Sequence, residues 1–291
     1  MKNTEGGENP HRPRRPASEK TRSWKLPLGM KILYEDDAIL VVDKPAGLLS
    51  VAAGGQRDRT AYWILNEYLR RRGKMQQVAV VHRLDRDTSG VMVFAKSAAT
   101  KKTLMEHWDE LVIRRQYVAV VEGVVQGEEG TIDLPLMEDR NGRMVVAPPG
   151  RGLQAVTHWR VLQRGPRRTL LSLELETGRK NQIRVHLAAI GYPVVGDTKY
   201  GNRPQEQTPR RSGLVSDRYP GSPQDIHQDN RYRRTKEPGY RPSPGKERLL
   251  LHAELLSFYH PVTHAPMEFS VPPPAEFRRA LLREYKGPLF L

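Results

Sequence analysis

The sequence predicts an α+β fold, a mainly antiparallel mixed β-sheet core with flanking helices. Short runs of β-branched and aromatic residues, bounded by turn signals, recur along the chain. Helical spacing of apolar residues is confined to a few stretches, and beyond residue 130 strand-like runs dominate. At 291 residues, with 37% hydrophobic and 28% charged side chains, the chain can bury a real core while leaving part of itself unpacked.

The elements follow in order. Residues 1–29 are polar, proline-containing and without hydrophobic period, and are expected to be a disordered basic tail. A single domain over 30–291, interrupted by an insertion, is expected to follow. Ile32-Leu33-Tyr34 and Ile39-Leu40-Val41-Val42 read as two strands around Glu35-Asp36-Asp37, and Asp43-Lys44-Pro45-Ala46-Gly47 breaks the second. Residues 60–72 place Trp63, Ile64, Leu65, Tyr68 and Leu69 at helical spacing and end in Arg70-Arg71-Arg72-Gly73, cations and a glycine suited to a helix C-terminus. Val78 to Val81 and Val91 to Ala95 read as short buried strands. Residues 97–111 read as a helix with Leu104, Trp108 and Leu111 on one face, and Gln116 to Val121 as a strand. Strand-like runs then cover Gly130–Leu136, Met144–Ala147, Gln154–Arg164 and Thr169–Glu176, before a helical pattern over 181–190. Residues 202–247 hold seven prolines and almost no aliphatics, and are expected to be a disordered basic insertion, because ordered patterning resumes at Leu249. An amphipathic helix is expected from Pro274 to Tyr285.

Composition narrows the function. The chain has no cysteine, which excludes disulfides and thiol catalysis and fits a reducing, cytoplasmic setting. No apolar run approaches the roughly 20 residues of a membrane span, and the N-terminus lacks the apolar region of a secretory signal. The net charge of +15 points to a polyanion, nucleic acid first. Residues 1–29 and 202–248 carry +9 of it, so part of any phosphate binding would be salt-sensitive and sequence-blind.

Three segments concentrate chemistry. His82-Arg83-Leu84-Asp85-Arg86-Asp87-Thr88-Ser89-Gly90 sets two carboxylates in a polar turn between strands, a place to hold a reactive carboxylate rigidly. The alternative is a charged surface loop. His82, Asp85 and Asp87 could be read as metal ligands, but no second cluster supports a metal, and none is expected. Glu176 to His186 runs from a strand end through Gly178 into a helix, with Arg179, Lys180 and Arg184 spaced to anchor a phosphate or pair with a buried carboxylate. An ordinary solvated helix start is the other reading. Arg114 to Gly123 opens a strand with Tyr117, which could stack on a base or simply fill the core.

Together and in this order, the segments resemble the RluA family of RNA pseudouridine synthases over about residues 31–201 and 249–270. The resemblance rests on Tyr34-Glu35-Asp36-Asp37 leading to Asp43-Lys44-Pro45-Ala46-Gly47-Leu48, and on His82-Arg83-Leu84-Asp85 with Thr88-Ser89-Gly90, the most specific element. Gln116-Tyr117 through Gly123 and Thr177-Gly178-Arg179 with Gln182-Ile183-Arg184-Val185-His186 extend it. Gly196-Asp197-Thr198-Lys199-Tyr200-Gly201, Leu251-His252-Ala253 and Phe258-Tyr259-His260-Pro261 complete it. The family usually has histidine where this chain has Asn181, and often a cation at Gln116, neither a position to which its chemistry is assigned. The link from Gly201 to Leu249 is far longer than usual, and residues 1–29 are too short for the small RNA-binding domain of many members, which points to the single-domain members.

The resemblance implies a pseudouridine synthase fold and isomerisation of uridine to pseudouridine within ribosomal or transfer RNA, with base flipping and no cofactor or metal. It implies Asp85 as the essential carboxylate, Arg184 as its paired cation and Tyr117 packed against the target uracil. Arg83 would help occupy the vacated space, Ile183 and Leu251 would line the pocket, and Arg179 and Lys199 would contact phosphates. RNA is the expected partner, with no membrane and no obligatory protein partner, and the protein is expected to be a monomer. The rival readings are a non-catalytic RNA-binding or ribosome-assembly protein on the same scaffold and a metal-dependent nuclease. Intact Asp85, Tyr117 and Arg184 argue against the first.

Overall fold

A computed structural model describes residues 26–52, 59–201 and 247–282. The predicted N-terminal tail lies almost wholly outside these residues, as do the insertion up to residue 246 and the end of the C-terminal helix. In chain order the elements are β1 (Lys31–Glu35), β2 (Ile39–Lys44), α1 (Ala61–Arg71), β3 (Ala79–Val80), β4 (Ser89–Ala95), α2 (Ala98–Glu106), α3 (Trp108–Leu111), β5 (Val112–Glu122), β6 (Glu129–Asp133), β7 (Leu136–Glu138), β8 (Met144–Val146), β9 (Val156–Arg164), β10 (Arg168–Leu175), α4 (Gln182–Ala189), β11 (Leu251–Tyr259), β12 (Pro266–Ser270) and α5 (Ala275–Leu281).

The strands form one mixed sheet in the order β1-β2-β4-β11-β5-β10-β9-β6, with β12 beside β11 and β3 beside β4, while β7 and β8 make a separate hairpin. Among the described residues every strand pairing is antiparallel except that of β4 with β11. The sheet is covered on both faces, as its period-2 side chains require. In the first half, Leu40, Val42, Met92 and Phe94 pack under Ile64, Leu65 and Leu69 of α1. Their neighbours Ile39, Val41, Val91 and Val93 pack on the opposite face with Leu104 and Leu111 of α2 and α3. In the second half, Ala119 and Val121 meet Ile183 and Leu187 of α4, whereas Val118 and Val120 meet Phe277 and Ala280 of α5.

The seam between the halves is the parallel pair β4–β11, only His252↔Ser89 and Ala253↔Gly90 long. Gly90 is required there: at φ +118 a Cβ would sit 2.1 Å from the Ala253 carbonyl oxygen. Buried Ser89 Oγ and His252 Nδ1, 2.9 Å apart, add a side-chain tie across the seam, while His252 Nε2 donates to the Val271 carbonyl. Tyr117 packs against the α1 core and the α4 core alike, so one tyrosine marks the seam on that face.

The predicted α+β class holds, and several element boundaries move. The expected strand Val78–Val81 shrinks to β3, which pairs only with Phe94 and Ala95 on the edge of β4 that β11 shares at Ser89 and Gly90, the Val93 amide between them being taken by His82 Nε2. The helix expected over 97–111 breaks at His107 (φ −113, ψ 28), and β5 begins at Val112. Gly130–Leu136 divides at Leu134-Pro135 into β6 and β7, since proline cannot donate to a ladder. The helix expected over 181–190 begins at Gln182, because Asn181 is left-handed (φ 55, ψ 19). Lys180 therefore lies in the turn before α4, so it and Arg184 do not share a helix face.

Candidate active site

The segment 82–88 enters β4 directly, and its backbone is pinned from below. Ser50 Oγ donates to the Leu84 carbonyl (2.7 Å) and accepts from the Leu84 amide (3.2 Å). Fully buried Lys44 donates from Nζ to the carbonyls of Pro45 (3.1 Å), Leu48 (2.8 Å) and Arg86 (3.2 Å). Burial pulls this ammonium down to about 7, against the attraction of Asp87 and Asp85. Three carbonyls need three N–H donors, so the protonated form is the one that fits this geometry. His82 Nε2 accepts from the Val93 amide (3.0 Å), and its ring packs 5.0 Å from Trp108. Burial lowers its pKa to about 3, with the Arg115 charge adding to the effect, so the imidazole is neutral. Burial pushes Asp87 up instead, and its Oδ1 is buried with no hydrogen-bond partner. The Nε2 lone pair of His82 is thus already committed to the backbone of β4.

Asp85 projects from this fixed loop. Its Oδ2 accepts from Arg184 Nη1 (3.0 Å) and from Asn181 Nδ2 (2.6 Å). Arg184 is itself clamped by Asp197, Nε to Oδ2 at 2.7 Å and Nη2 to Oδ1 at 2.9 Å, a two-pronged pair that fixes the guanidinium plane. Side-chain exposure falls from 27% at Asp85 through 12% at Arg184 to 0% at Asp197. Burial works against the Arg184 charge, but Asp197 and Asp85 outweigh it and hold its pKa above the ordinary arginine value. Burial also works to raise Asp197, yet Arg184 and the amides of Tyr200 and Lys199 keep its pKa below the ordinary carboxylate value.

The turn before α4 is equally determined. Gln182, 2% exposed, accepts at Oε1 from Thr177 Oγ1 and the Arg179 amide, and donates from Nε2 to the Val156 carbonyl and Thr157 Oγ1. On the far side, Gly196 (φ +76) lets the chain pass Arg248, whose carbonyl oxygen would lie 2.0 Å from a Cβ, and so delivers Asp197 beneath Arg184.

Asp85 faces a cleft of about 580 Å³ whose walls include Arg83, Arg86, Arg115, Tyr117, Arg179 and Lys180. A smaller hollow of about 70 Å³ adjoins it, lined by Asp85, Tyr117, Leu175, Ile183, Arg184 and Leu251 among others. Burial raises the Tyr117 hydroxyl to about 12, with Asp85 adding to the effect against Arg115, so the phenol keeps its proton. Ile183 and Leu251 are 4% and 3% exposed and serve as core and wall at once. Arg83 is exposed and makes no hydrogen bond to the described residues. Arg179 Nε donates to the Gln154 carbonyl, and Lys180 pairs with Glu138 at 2.6 Å.

The structure therefore gathers Asp85, Tyr117, Arg184, Arg83, Arg179, Ile183 and Leu251 at one cleft. Lys199 is placed differently: it does not line the cleft, and its Nζ lies 3.4 Å from Asn181 Oδ1, behind the carboxylate. Sequence reasoning missed Asn181, Asp197 and Lys44. Asp197 stood in the Gly196–Gly201 motif, just after the apolar pair Val194-Val195, and a carboxylate at the end of an apolar run was a signal that a buried cation partner was needed. Among the described residues no cluster of three or more potential metal ligands occurs, and no helix is long and apolar enough to cross a membrane.

Residues 38–189 match the family model for RNA pseudouridylate synthase. The chain is 38% identical over 261 residues to ribosomal large subunit pseudouridine synthase D of Xanthomonas campestris pv. campestris, spanning 88% of this chain and 70% of that protein. It is 37% identical over 248 residues to the protein of the same name from Pseudomonas aeruginosa, 85% of this chain and 69% of that one. The solved structure of human RNA pseudouridylate synthase domain containing 4 superposes with a TM-score of 0.59 at 24% identity, over 86% of this chain and 91% of that one, and shares the fold.

Proposed function

The chain belongs to the RluA family of RNA pseudouridine synthases, and from that premise we propose that its substrate is a uridine of large-subunit ribosomal RNA and that Asp85, Arg184 and Tyr117 carry the isomerisation. The relatives above, named for the ribosomal large subunit, support that choice of RNA. The reading also has the protein acting as a cytoplasmic monomer without an obligatory protein partner.

The reaction breaks the C1′–N1 glycosidic bond, turns the detached uracil and joins C5 to C1′. The C5 hydrogen leaves as a proton and N1 gains one, so the change is a rearrangement with no net oxidation. Asp85 serves either as a nucleophile on the sugar or base or as the base that removes the 2′ proton. Each role requires an accessible carboxylate oxygen, and Arg184 Nη1 donates to Oδ2, leaving Oδ1 without a donor among the described residues. Arg184 holds its place because Asp197 accepts from both its Nε and its Nη2. Tyr117 offers the target base a flat face, with its hydroxyl protonated at neutral pH.

The uridine must leave its stack to reach Asp85, at a cost of a few kcal/mol. Arg83, exposed at the rim, is placed to enter the space the base leaves. Arg179 contributes to phosphate binding, and Lys199 acts through Asn181. Ile183 and Leu251 form the apolar wall against the flipped base.

The observation that carries this reading is the convergence of three segments, distant in sequence, on one carboxylate at the floor of a cationic cleft. Pseudouridine mapping of total RNA from cells carrying the wild-type chain or Asp85→Asn tests it. The expected result is loss of one or more sites in large-subunit ribosomal RNA. Loss confined to transfer RNA overturns the proposed substrate.

A further inference from the structure

Asp85 is held asymmetrically. Both of its donors among the described residues, Asn181 Nδ2 at 2.6 Å and Arg184 Nη1 at 3.0 Å, engage the same oxygen, Oδ2. No hydrogen bond from the described residues engages Oδ1, and Asp85 lines both the cleft and the smaller hollow beside it.

The shorter bond comes from a residue with no freedom to turn its amide around. Asn181 Oδ1 faces Lys199 Nζ (3.4 Å) and Tyr200 Oη (3.2 Å). An ammonium can only donate, so the amide oxygen must face it, and the amide nitrogen must then face the carboxylate, which only accepts. The backbone of Asn181 is also special. Its left-handed conformation (φ 55, ψ 19) falls between the pinned turn and the first residue of α4, and asparagine is among the few side chains that tolerate it. The Arg143 guanidinium, stacked 4.9 Å over the Tyr200 ring, helps fix the residue that orients Asn181.

We propose that Asn181 is a positioning residue for the isomerisation: with Arg184 it ties down Oδ2 of Asp85 and thereby makes Oδ1 the oxygen that reacts. The proposal rests on the reading of Asp85 as the reacting carboxylate. It assigns to Asn181 a donor role that neither the shape of its side chain nor its place at the start of α4 would by itself require.

Three substitutions separate the donor from the shape. Asn181→Gly removes the side chain while tolerating the left-handed backbone. Asn181→Asp keeps the shape but replaces the donor with an acceptor. Asn181→His changes the shape but offers an Nδ1–H as many bonds from Cα as the amide nitrogen. On transcripts of large-subunit ribosomal RNA tritiated at uridine C5, the Gly and Asp variants are expected to release tritium about 10- to 150-fold more slowly in single turnover, the range of one lost hydrogen bond to a charged group. RNA affinity should stay within about twofold, because no phosphate contact is removed, and Asn181→His should recover most of the rate. An Asp variant at the wild-type rate, a defect confined to RNA affinity, or a His variant as slow as the Gly variant overturns the proposal.

A second readout needs no turnover. In the free protein, the Asn181 amide proton aimed at Asp85 should resonate downfield and move upfield in Asp85→Ala. An Asn181 signal indifferent to that substitution also overturns the proposal. An inactive wild-type protein that still gives the shifted amide signal would instead refute the functional reading and leave the geometry intact.

Discussion

Replacing Arg184 by lysine keeps the charge and removes the geometry, which separates two explanations of the site. Arg184 uses three nitrogens on two carboxylates: Nε (2.7 Å) and Nη2 (2.9 Å) on Asp197, and Nη1 (3.0 Å) on Asp85. A lysine has one nitrogen on a flexible stem and cannot span both. Asp197, with 0% side-chain exposure, is the costlier carboxylate to leave unpaired, so the ammonium should settle there and abandon Asp85. The loss at Asp85 is one charge-assisted hydrogen bond, about 1.5–3 kcal/mol, or about 10- to 150-fold in rate. Asp197 keeps its bonds from the Lys199 and Tyr200 amides, so the fold should survive with a loss of about 1–3 kcal/mol. The assay is single-turnover tritium release from 5-tritiated ribosomal RNA, alongside urea denaturation. An Arg184→Lys protein within about threefold of the wild-type rate, against the tenfold that 1.36 kcal/mol represents, would show that charge alone suffices and refute the argument from geometry. Arg184→Ala, which also removes the charge, should be at least as damaged.

Two further outcomes are expected. In the unfolded chain His82 takes up a proton near its ordinary value, whereas in the fold it resists until about pH 3, so the unfolded state binds more protons between these values and stability falls as pH drops through that window. Part of the ring reaches the cleft and is screened by water, so between pH 7 and 4 the wild-type protein should lose about 2 kcal/mol that His82→Gln does not; parallel denaturation curves for the two proteins across that range would contradict this. Deleting residues 203–246 should leave a folded protein, because the flanks pair directly through the Leu250 amide and the Val195 carbonyl (2.9 Å). The deletion removes a net +5, so RNA binding at low salt should weaken and its salt dependence should flatten, and a deletion protein that fails to fold would assign the segment a structural role.

Much of the fold was legible because most strands carry their own signal. Ile39–Val42 and Val91–Ala95 are buried on both faces and read as continuous apolar runs. What local pattern could not supply was pairing order. That β4 meets β11 in parallel over two residues depends on Gly90 and on a segment more than 160 positions away. The break at His107 and the late start of α4 are tertiary as well, since local spacing alone favours a longer helix in both places. At the site, the motif around Asp85 stood out by itself, those around Arg184 and Tyr117 stood out through the family resemblance, and the three residues line one hollow. Asn181 was passed over as a departure from the family pattern, although asparagine next to a helix start is a residue suited to left-handed backbone and to donating an amide. Asp197 and Lys44 act from below the surface, and their partners are visible only once the three segments converge.

The central claim is that Asp85 is the carboxylate on which pseudouridine formation depends. Its most direct test is the pseudouridine content of an unmodified large-subunit ribosomal RNA transcript incubated with the purified wild-type protein or with Asp85→Asn, together with the RNA affinity of each. The account predicts conversion by the wild-type protein, none by Asp85→Asn, and RNA affinities within about twofold, because the substitution removes no phosphate contact. Substantial conversion by Asp85→Asn would contradict it.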